Sequence, residues 1–228
     1  IDPGGTCSGT PSGCTTNSYD AANRLTEINY SDSTTPDVSY TYDDAGRRLT
    51  MTDGSGTSTY DYDSLDRCTN VVSADGTQRK LVWSPKSNLA ATDDPTGTHV
   101  VMTYDLNRRC IAKAITPGAG VATNTTFEQF EYDGLSRLVR DHDDDCDGRF
   151  AYDSLGDCVS ESMNGLTTAS AYNSLGHRTS LTYPGGRLKT MARDSLERCS
   201  SISDSGLAMA VFEYDGPDRL ARTTYGNN

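Results

Sequence analysis

A short phrase returns ten times along this chain: Tyr-Asp, two variable residues, a Gly-like position, Arg, then Leu or Cys. The copies begin at Tyr19, Tyr42, Tyr62, Trp83, Tyr104, Tyr132, Tyr152, Tyr172, Arg193 and Tyr214, at spacings of 23, 20, 21, 21, 28, 20, 20, 21 and 21 residues. A fixed period constrains the fold more than any single residue does, because each copy is one structural unit that needs its neighbours. Two copies have decayed, Trp83-Ser84-Pro85-Lys86-Ser87-Asn88-Leu89 and Arg193-Asp194-Ser195-Leu196-Glu197-Arg198-Cys199, yet both fall on the period.

One unit shows what the period builds. Arg47-Arg48-Leu49-Thr50-Met51-Thr52 favours a strand, Asp53-Gly54-Ser55-Gly56 is turn chemistry, and Thr57-Ser58-Thr59-Tyr60-Asp61-Tyr62 is strand-like again. Asp-Gly or Asn-Gly between alternating runs signals a hairpin. The signal recurs at Asp75-Gly76, Asp147-Gly148 and Asn164-Gly165, and more loosely at Gly185-Gly186 and Ser205-Gly206. The prediction is all-β: an antiparallel meander with two strands per repeat, over residues 19–228, after a non-repeat Gly/Thr/Ser leader at 1–18.

The phrase itself forms the other hairpin end. An Asp and an Arg four residues later bracket a turn that a carboxylate–guanidinium pair can span. The pairs are Asp20/Arg24, Asp43/Arg47, Asp63/Arg67, Asp105/Arg109, Asp133/Arg137, Asp194/Arg198 and Asp215/Arg219. Their expected role is to fix hairpin register. Aromatic residues alternate before the turn at Tyr40/Tyr42, Tyr60/Tyr62, Phe130/Tyr132, Phe150/Tyr152 and Phe212/Tyr214. Alternation puts both members on one sheet face, where stacking over repeats makes an aromatic stripe that packs a core.

Tyr-Asp-x-x-Gly-Arg-Leu at this period resembles the YD-repeat (Rhs-type) family, from Tyr19 to the end of the chain. The resemblance implies a broad spiralling sheet, often a shell around a cargo, with more repeats than ten. Departures are Asp153 with Asp157, Asn173 with His177, and the two decayed copies.

Composition sets limits. The hydrophobic fraction is 34% and includes 13 tyrosines, which suits a thin sheet better than a thick core. A net charge of −12 with no basic patch argues against nucleic acid as a partner. No apolar run approaches the ~20 residues of a spanning helix, so no membrane insertion is expected. The start at Ile1 and the stop at Asn228, partway into a repeat, read as a processed form or a fragment.

Seven cysteines occur. Cys68, Cys110, Cys158 and Cys199 share one phrase position in alternate repeats, roughly 19 Å apart at ~4.8 Å per strand, too far for direct bonding. They read as buried thiols in place of Leu, or as bonded across a coil turn or to another chain. Cys7 and Cys14 lie close together in the leader and suit a local disulfide if the compartment is oxidising.

Asp141, Asp143, Asp145 and Asp147 alternate before Gly148. They read either as a calcium loop, which lacks the central Gly and final Glu of the usual pattern, or as a solvated acidic turn. His99, His142 and His177 occupy unrelated positions and no phosphate-binding Gly loop occurs, so no catalytic site is expected. The 116–126 segment lengthens one repeat and reads as an insertion at a hairpin tip. Asn29 and Asn124 head glycosylation sequons.

Two readings follow. The first is a structural, non-catalytic extracellular protein, part of a shell or a subunit that self-associates head-to-tail through its edge strands into a filament or tube. The second is an adhesin-like surface module for calcium or glycan.

Overall fold

The computed structural model describes residues 14–32, 34–122 and 124–226. The described chain holds twenty β-strands and no helix, and no helix is long and apolar enough to cross a membrane. It forms two compact units, residues 1–109 with 113–123, and 110–112 with 124–228. The first carries β1 (Thr15–Tyr19), β2 (Leu25–Tyr30), β3 (Val38–Tyr42), β4 (Arg48–Asp53), β5 (Gly56–Tyr62), β6 (Cys68–Val72), β7 (Gln78–Trp83), β8 (Leu89–Asp93) and β9 (His99–Tyr104). β10 (Cys110–Thr116) contributes to both. The second carries β11 (Phe127–Tyr132), β12 (Leu138–Asp143), β13 (Asp147–Tyr152), β14 (Cys158–Met163), β15 (Leu166–Tyr172), β16 (Arg178–Thr182), β17 (Leu188–Arg193), β18 (Cys199–Asp204), β19 (Leu207–Asp215) and β20 (Arg219–Tyr225). Within each unit every strand pairs antiparallel with its successor, the meander expected from the repeat.

The phrase makes one of the two hairpin turns in each repeat. In the second copy Gly46 N–H donates to the Asp43 carbonyl at 3.0 Å and Asp43 N–H donates to the Arg47 carbonyl at 2.9 Å. This geometry needs a left-handed fourth residue, which explains the Gly-like position. Gly46 and Gly156 fill it at φ 85° and 97°, but Asn23, Asp66, Ser87, Arg108, Ser136 and Glu197 also adopt φ of 60–66° there. A bulge follows each turn. Tyr42 lies opposite Arg48 but Thr41 lies opposite Thr50, which leaves Leu49 as the extra residue. The same shift recurs one residue before the aromatic in β1, β5, β7, β11, β13, β15 and β19, and before Arg193 in β17.

Between hairpins the register is constant. The residue three before the phrase's first position lies opposite the residue two beyond the Leu or Cys position of the preceding copy. The pairs are Glu27–Ser39, Thr50–Thr59, Asn70–Lys80, Ala91–Val101, Arg140–Arg149, Ser160–Ala169, Ser180–Thr190 and Ser201–Val211. Each of these ladders stops there, short of the phrase turn.

The opposite turns vary. Asn164-Gly165 (φ 49° and 82°) and Ser205-Gly206 (φ 50° and 86°) are two-residue turns with both centres left-handed, as their sequences predict. Asp147-Gly148 corrects the sequence reading: it is not a turn. The turn falls earlier, closed by Asp143 N–H to the Cys146 carbonyl at 2.9 Å, and Gly148 lies buried inside β13 opposite Asp141. A Cβ there would sit 2.0 Å from Asp141 Oδ1, so close approach rather than turn conformation explains this glycine.

A closed hydrophobic core is missing from the described residues. Ala210 is the only buried hydrophobic residue, and no side chain is fully buried. The aromatic pairs lie on one face as alternation predicts, but they are half-buried, so the stripe covers a surface instead of filling an interior. Leu65, Leu135, Leu155, Leu175 and Leu196, all at one position of the phrase turn, are 60–74% exposed. Cohesion therefore has to come largely from directional contacts.

Gly156 has open space around its missing Cβ, so replacing it tests backbone strain alone. Gly156→Val is expected to lower unfolding free energy by about 1–2 kcal/mol, and Gly156→Asn by clearly less, read by denaturant titration.

Candidate functional site

The site is a contact pattern repeated along the sheet. The phrase's Asp works first on its own turn. Asp20 Oδ1 accepts from the N–H groups of Ala22 and Arg24, each at 2.9 Å, while Asp20 Oδ2 accepts from Arg24 Nε at 2.7 Å. Nε–Oδ2 contacts of 2.6–2.8 Å join Asp43/Arg47, Asp63/Arg67, Asp105/Arg109, Asp133/Arg137 and Asp194/Arg198. Asp215 and Arg219 also pair, through Arg219 Nη2, but both side chains are largely exposed.

Copies that lack the Arg show what the acid does alone. Asp153 Oδ1 still accepts from Asp157 N–H, and Asn173 Oδ1 from His177 N–H, each at 3.0 Å. Ser84 Oγ does the same for Asn88 N–H at 3.1 Å. The acceptor side chain caps the turn whether or not a guanidinium is present.

The Arg reaches onward to the next copy. Arg24 Nη1 donates to the Asp43 carbonyl at 2.8 Å, Arg47 Nη1 to the Asp63 carbonyl at 3.2 Å, Arg67 Nη1 to the Ser84 carbonyl at 3.0 Å and Arg137 Nη1 to the Asp153 carbonyl at 3.2 Å. The same guanidinium stacks on the next copy's aromatic ring. Centroid distances are 4.9 Å for Arg24–Tyr42, 5.0 Å for Arg47–Tyr62, 5.6 Å for Arg67–Trp83, 4.6 Å for Arg137–Tyr152 and 4.3 Å for Arg198–Tyr214.

The aromatic reaches back. Tyr42 Oη donates to the Leu25 carbonyl at 2.7 Å, Tyr62 to Arg48 at 2.9 Å, Tyr104 to Leu89 at 2.8 Å, Tyr132 to Cys110 at 2.9 Å, Tyr152 to Leu138 at 2.9 Å and Tyr214 to Cys199 at 2.8 Å. In the decayed copy Trp83 Nε1 donates to the Cys68 carbonyl at 2.7 Å. Each acceptor lies beyond the end of the inter-hairpin ladder, beside the bulge, so a side chain closes the gap that the backbone leaves open. Sequence reasoning placed these aromatics on one face but missed their polar ends. The signal was available: the phrase prefers Tyr, and its one aromatic replacement, Trp, also carries a donor.

The brackets shift acidities. The Arg67 and Arg198 side chains hold the Asp63 and Asp194 carboxyls below the usual range, and the Arg24 and Arg137 backbone N–H groups chiefly do so at Asp20 and Asp133. At Asp43 and Asp105 desolvation pushes upward, and the combined bonds from Arg47 and Arg109 outweigh it.

The other candidate residues separate. Asp141, Asp143, Asp145 and Asp147 do not converge: among the described residues no group of three or more His, Cys, Asp or Glu could hold a metal ion. Asp143 Oδ1 caps its turn through Asp145 and Cys146 N–H at 2.9 and 2.7 Å. Asp147 is held by Arg140 and then Arg149, which lower its carboxyl to about 2. Cys68, Cys110, Cys146, Cys158 and Cys199 are free and half-buried. Cys7 lies outside the described residues, and the Cys7–Cys14 pairing with it.

Tyr62→Phe and Tyr152→Phe each remove one buried-end donor. Each is expected to cost about 1 kcal/mol, and the pair, in different units, to cost their sum within about 0.5 kcal/mol, measured by denaturant unfolding. The lowered bracket carboxyls make the unfolded chain bind more protons in acid. Stability should be flat at neutral pH and fall as pH drops below about 4, and Asp63→Asn should flatten that fall in a melting-temperature profile.

Comparison with known proteins agrees with this anatomy. Residues 19–58, 42–78 and 152–188 match the RHS Repeat family model. No curated protein sequence matches the chain. The fold is similar to part of the crystal structure of TcdB2-TccC3, at 13% identity and a TM-score of 0.70 over 95% of this chain and 13% of that one. It is equally similar to part of TcdB2-TccC3-TEV, at 12% identity and a TM-score of 0.69 over 92% and 12%. In these three stretches, together less than half of the chain, the sequence matches RHS repeats.

Proposed function

We propose that this chain is a structural, non-catalytic extracellular RHS-repeat element, a piece of a wall or a subunit that joins others through its sheet edges. The observation that carries the reading is where the repeat's polar groups go. The carboxylate, guanidinium and hydroxyl of the phrase are engaged with backbone carbonyls, N–H groups and rings of the same and adjacent copies. Chemistry that recurs every hairpin and points at the chain's own backbone builds a surface. The similar structures support a wall role, since this chain corresponds to about an eighth of chains in the TcdB2-TccC3 assemblies. Net charge of −12 suits a soluble surface exposed to solvent.

Electron microscopy of the purified chain tests this. Thin sheet-like particles, alone or joined end to end, are the expected result, and compact globules would overturn it. Antibody detection after cell fractionation should find the protein outside the cytosol.

A further inference from the structure

Asn164 is the only asparagine of the chain that a glycine follows. Asn164 and Gly165 are both exposed, at the two left-handed centres of the β14–β15 turn, with φ of 49° and 82°. Asn164 also ties this turn to the one before it. Its N–H donates to the Asp147 carbonyl at 3.0 Å, its Oδ1 accepts from Asp147 N–H at 2.7 Å, and its Nδ2 donates to the Asp145 carbonyl at 3.0 Å. One amide side chain thus holds the Asp143–Cys146 turn and the start of β13 against the β14–β15 turn.

The Asn-Gly pair carries its own chemistry. The Gly165 N–H has no hydrogen-bond partner among the described residues, and nothing lies within 4 Å of where a Cβ would stand. Its nitrogen is therefore free to attack Asn164 Cγ. Gly165 N bonds to Cγ and gives up its proton, the Cγ–Nδ2 bond breaks, and Nδ2 leaves as ammonia with that proton. Water then opens the five-membered imide at either carbonyl and leaves aspartate or isoaspartate at position 164. Negative charge grows on Oδ1 during the attack, where the Asp147 N–H already donates. We infer that Asn164-Gly165 is a self-modification site, at which spontaneous deamidation releases the Asp143–Cys146 turn from the β14–β15 hairpin.

The two products undo the tether differently. Aspartate keeps an acceptor for the Asp147 N–H, but it sets a carboxylate oxygen where Nδ2 donated to the Asp145 carbonyl. That oxygen joins Asp143, Asp145 and Asp147 around one shallow depression, so it adds like charge as well as losing a bond. Isoaspartate also lengthens the backbone by one carbon. The turn is closed across Met163 and Leu166 with only two residues between them, and the fit of a two-residue loop sets the hairpin's register. The hairpin loosened in this way joins the seventh copy, where Asp157 stands in the Arg position, to the eighth.

The test incubates the purified full chain at mildly alkaline pH and follows it by peptide mapping with mass spectrometry. The Asn164 peptide is expected to convert to its acidic isomers ahead of the Asn173-Ser174 peptide. Gly165→Ala should lose most of that conversion, because its methyl group crowds the attacking nitrogen. Hydrogen exchange then reads the tether. In the isoaspartate form the Asp147 amide should exchange about fivefold faster, the worth of one net hydrogen bond, whereas in Asn164→Asp it should stay protected. Amides of the β3–β4 hairpin, in the other unit, should not change. Asn164 left intact while Asn173 converts, equal conversion in Gly165→Ala, or an isoaspartate form with unchanged Asp147 exchange overturns the inference.

Discussion

The hydrogen bond from the phrase tyrosine to the bulge carbonyl of the preceding copy is the contact on which the sheet depends. The bulge exists because the turn's left-handed fourth residue leaves one extra residue in the returning strand, as Leu49 is left opposite Thr41–Tyr42. Past Thr50–Thr59 the ladder between hairpins ends, and the Arg48 carbonyl points into the gap. A buried carbonyl without a partner costs about 1–3 kcal/mol. Tyr62 reaches it at 2.9 Å, and Arg47 covers the ring at 5.0 Å. Turn geometry thus creates the need that the side chain meets, and the same phrase positions carry both in most copies.

This accounts for stability without a core. A sheet in whose described residues Ala210 is the one buried hydrophobic residue cannot rely on apolar burial in the way a two-layer domain does. Contacts with direction replace it: ladders within hairpins, capped turns, and at most seams a crossing hydroxyl or indole donor, at several with a guanidinium stacked on its ring. Such stabilisation is local, so each copy depends on its neighbours and little on copies farther along.

Much of this was legible in the sequence. The period, the hairpins and the Asp–Arg spacing all follow from short-range rules, since turn and bracket involve residues at most four apart. The tyrosine's acceptor was not legible, because it lies 14–22 residues back and becomes available only through a bulge that no residue type announces. Asp147-Gly148 misled for a related reason. Its dipeptide is a turn signal, but the four preceding acids and Cys146 allow an earlier closure at Asp143, and glycine is needed instead where Asp141 leans over β13. The alternating acids are divided between elements: strand alternation faces Asp141 and Asp143 together only within β12, while Asp147 belongs to the next strand and to two arginines.

The seam between the seventh and eighth copies shows how roles divide within the phrase. There Asp157 replaces the Arg and leaves its Oδ2 buried without a partner. Tyr172 Oη accepts from Arg178 at 3.2 Å, and the Arg178 guanidinium stacks on the Tyr172 ring, so the onward and backward contacts are both replaced by one made behind the turn. The turns on either side keep their caps, at Asp153 and Asn173. Hairpins therefore survive the loss of Arg, whereas their junction loses its crossing contacts. The aspartate shapes a copy, and the arginine and tyrosine join copies, so a chain can vary the second pair at chosen seams without unmaking the repeat. Local opening should then concentrate at such seams rather than at the hairpins they separate, which makes the β14–β15 junction a soft boundary inside the second unit.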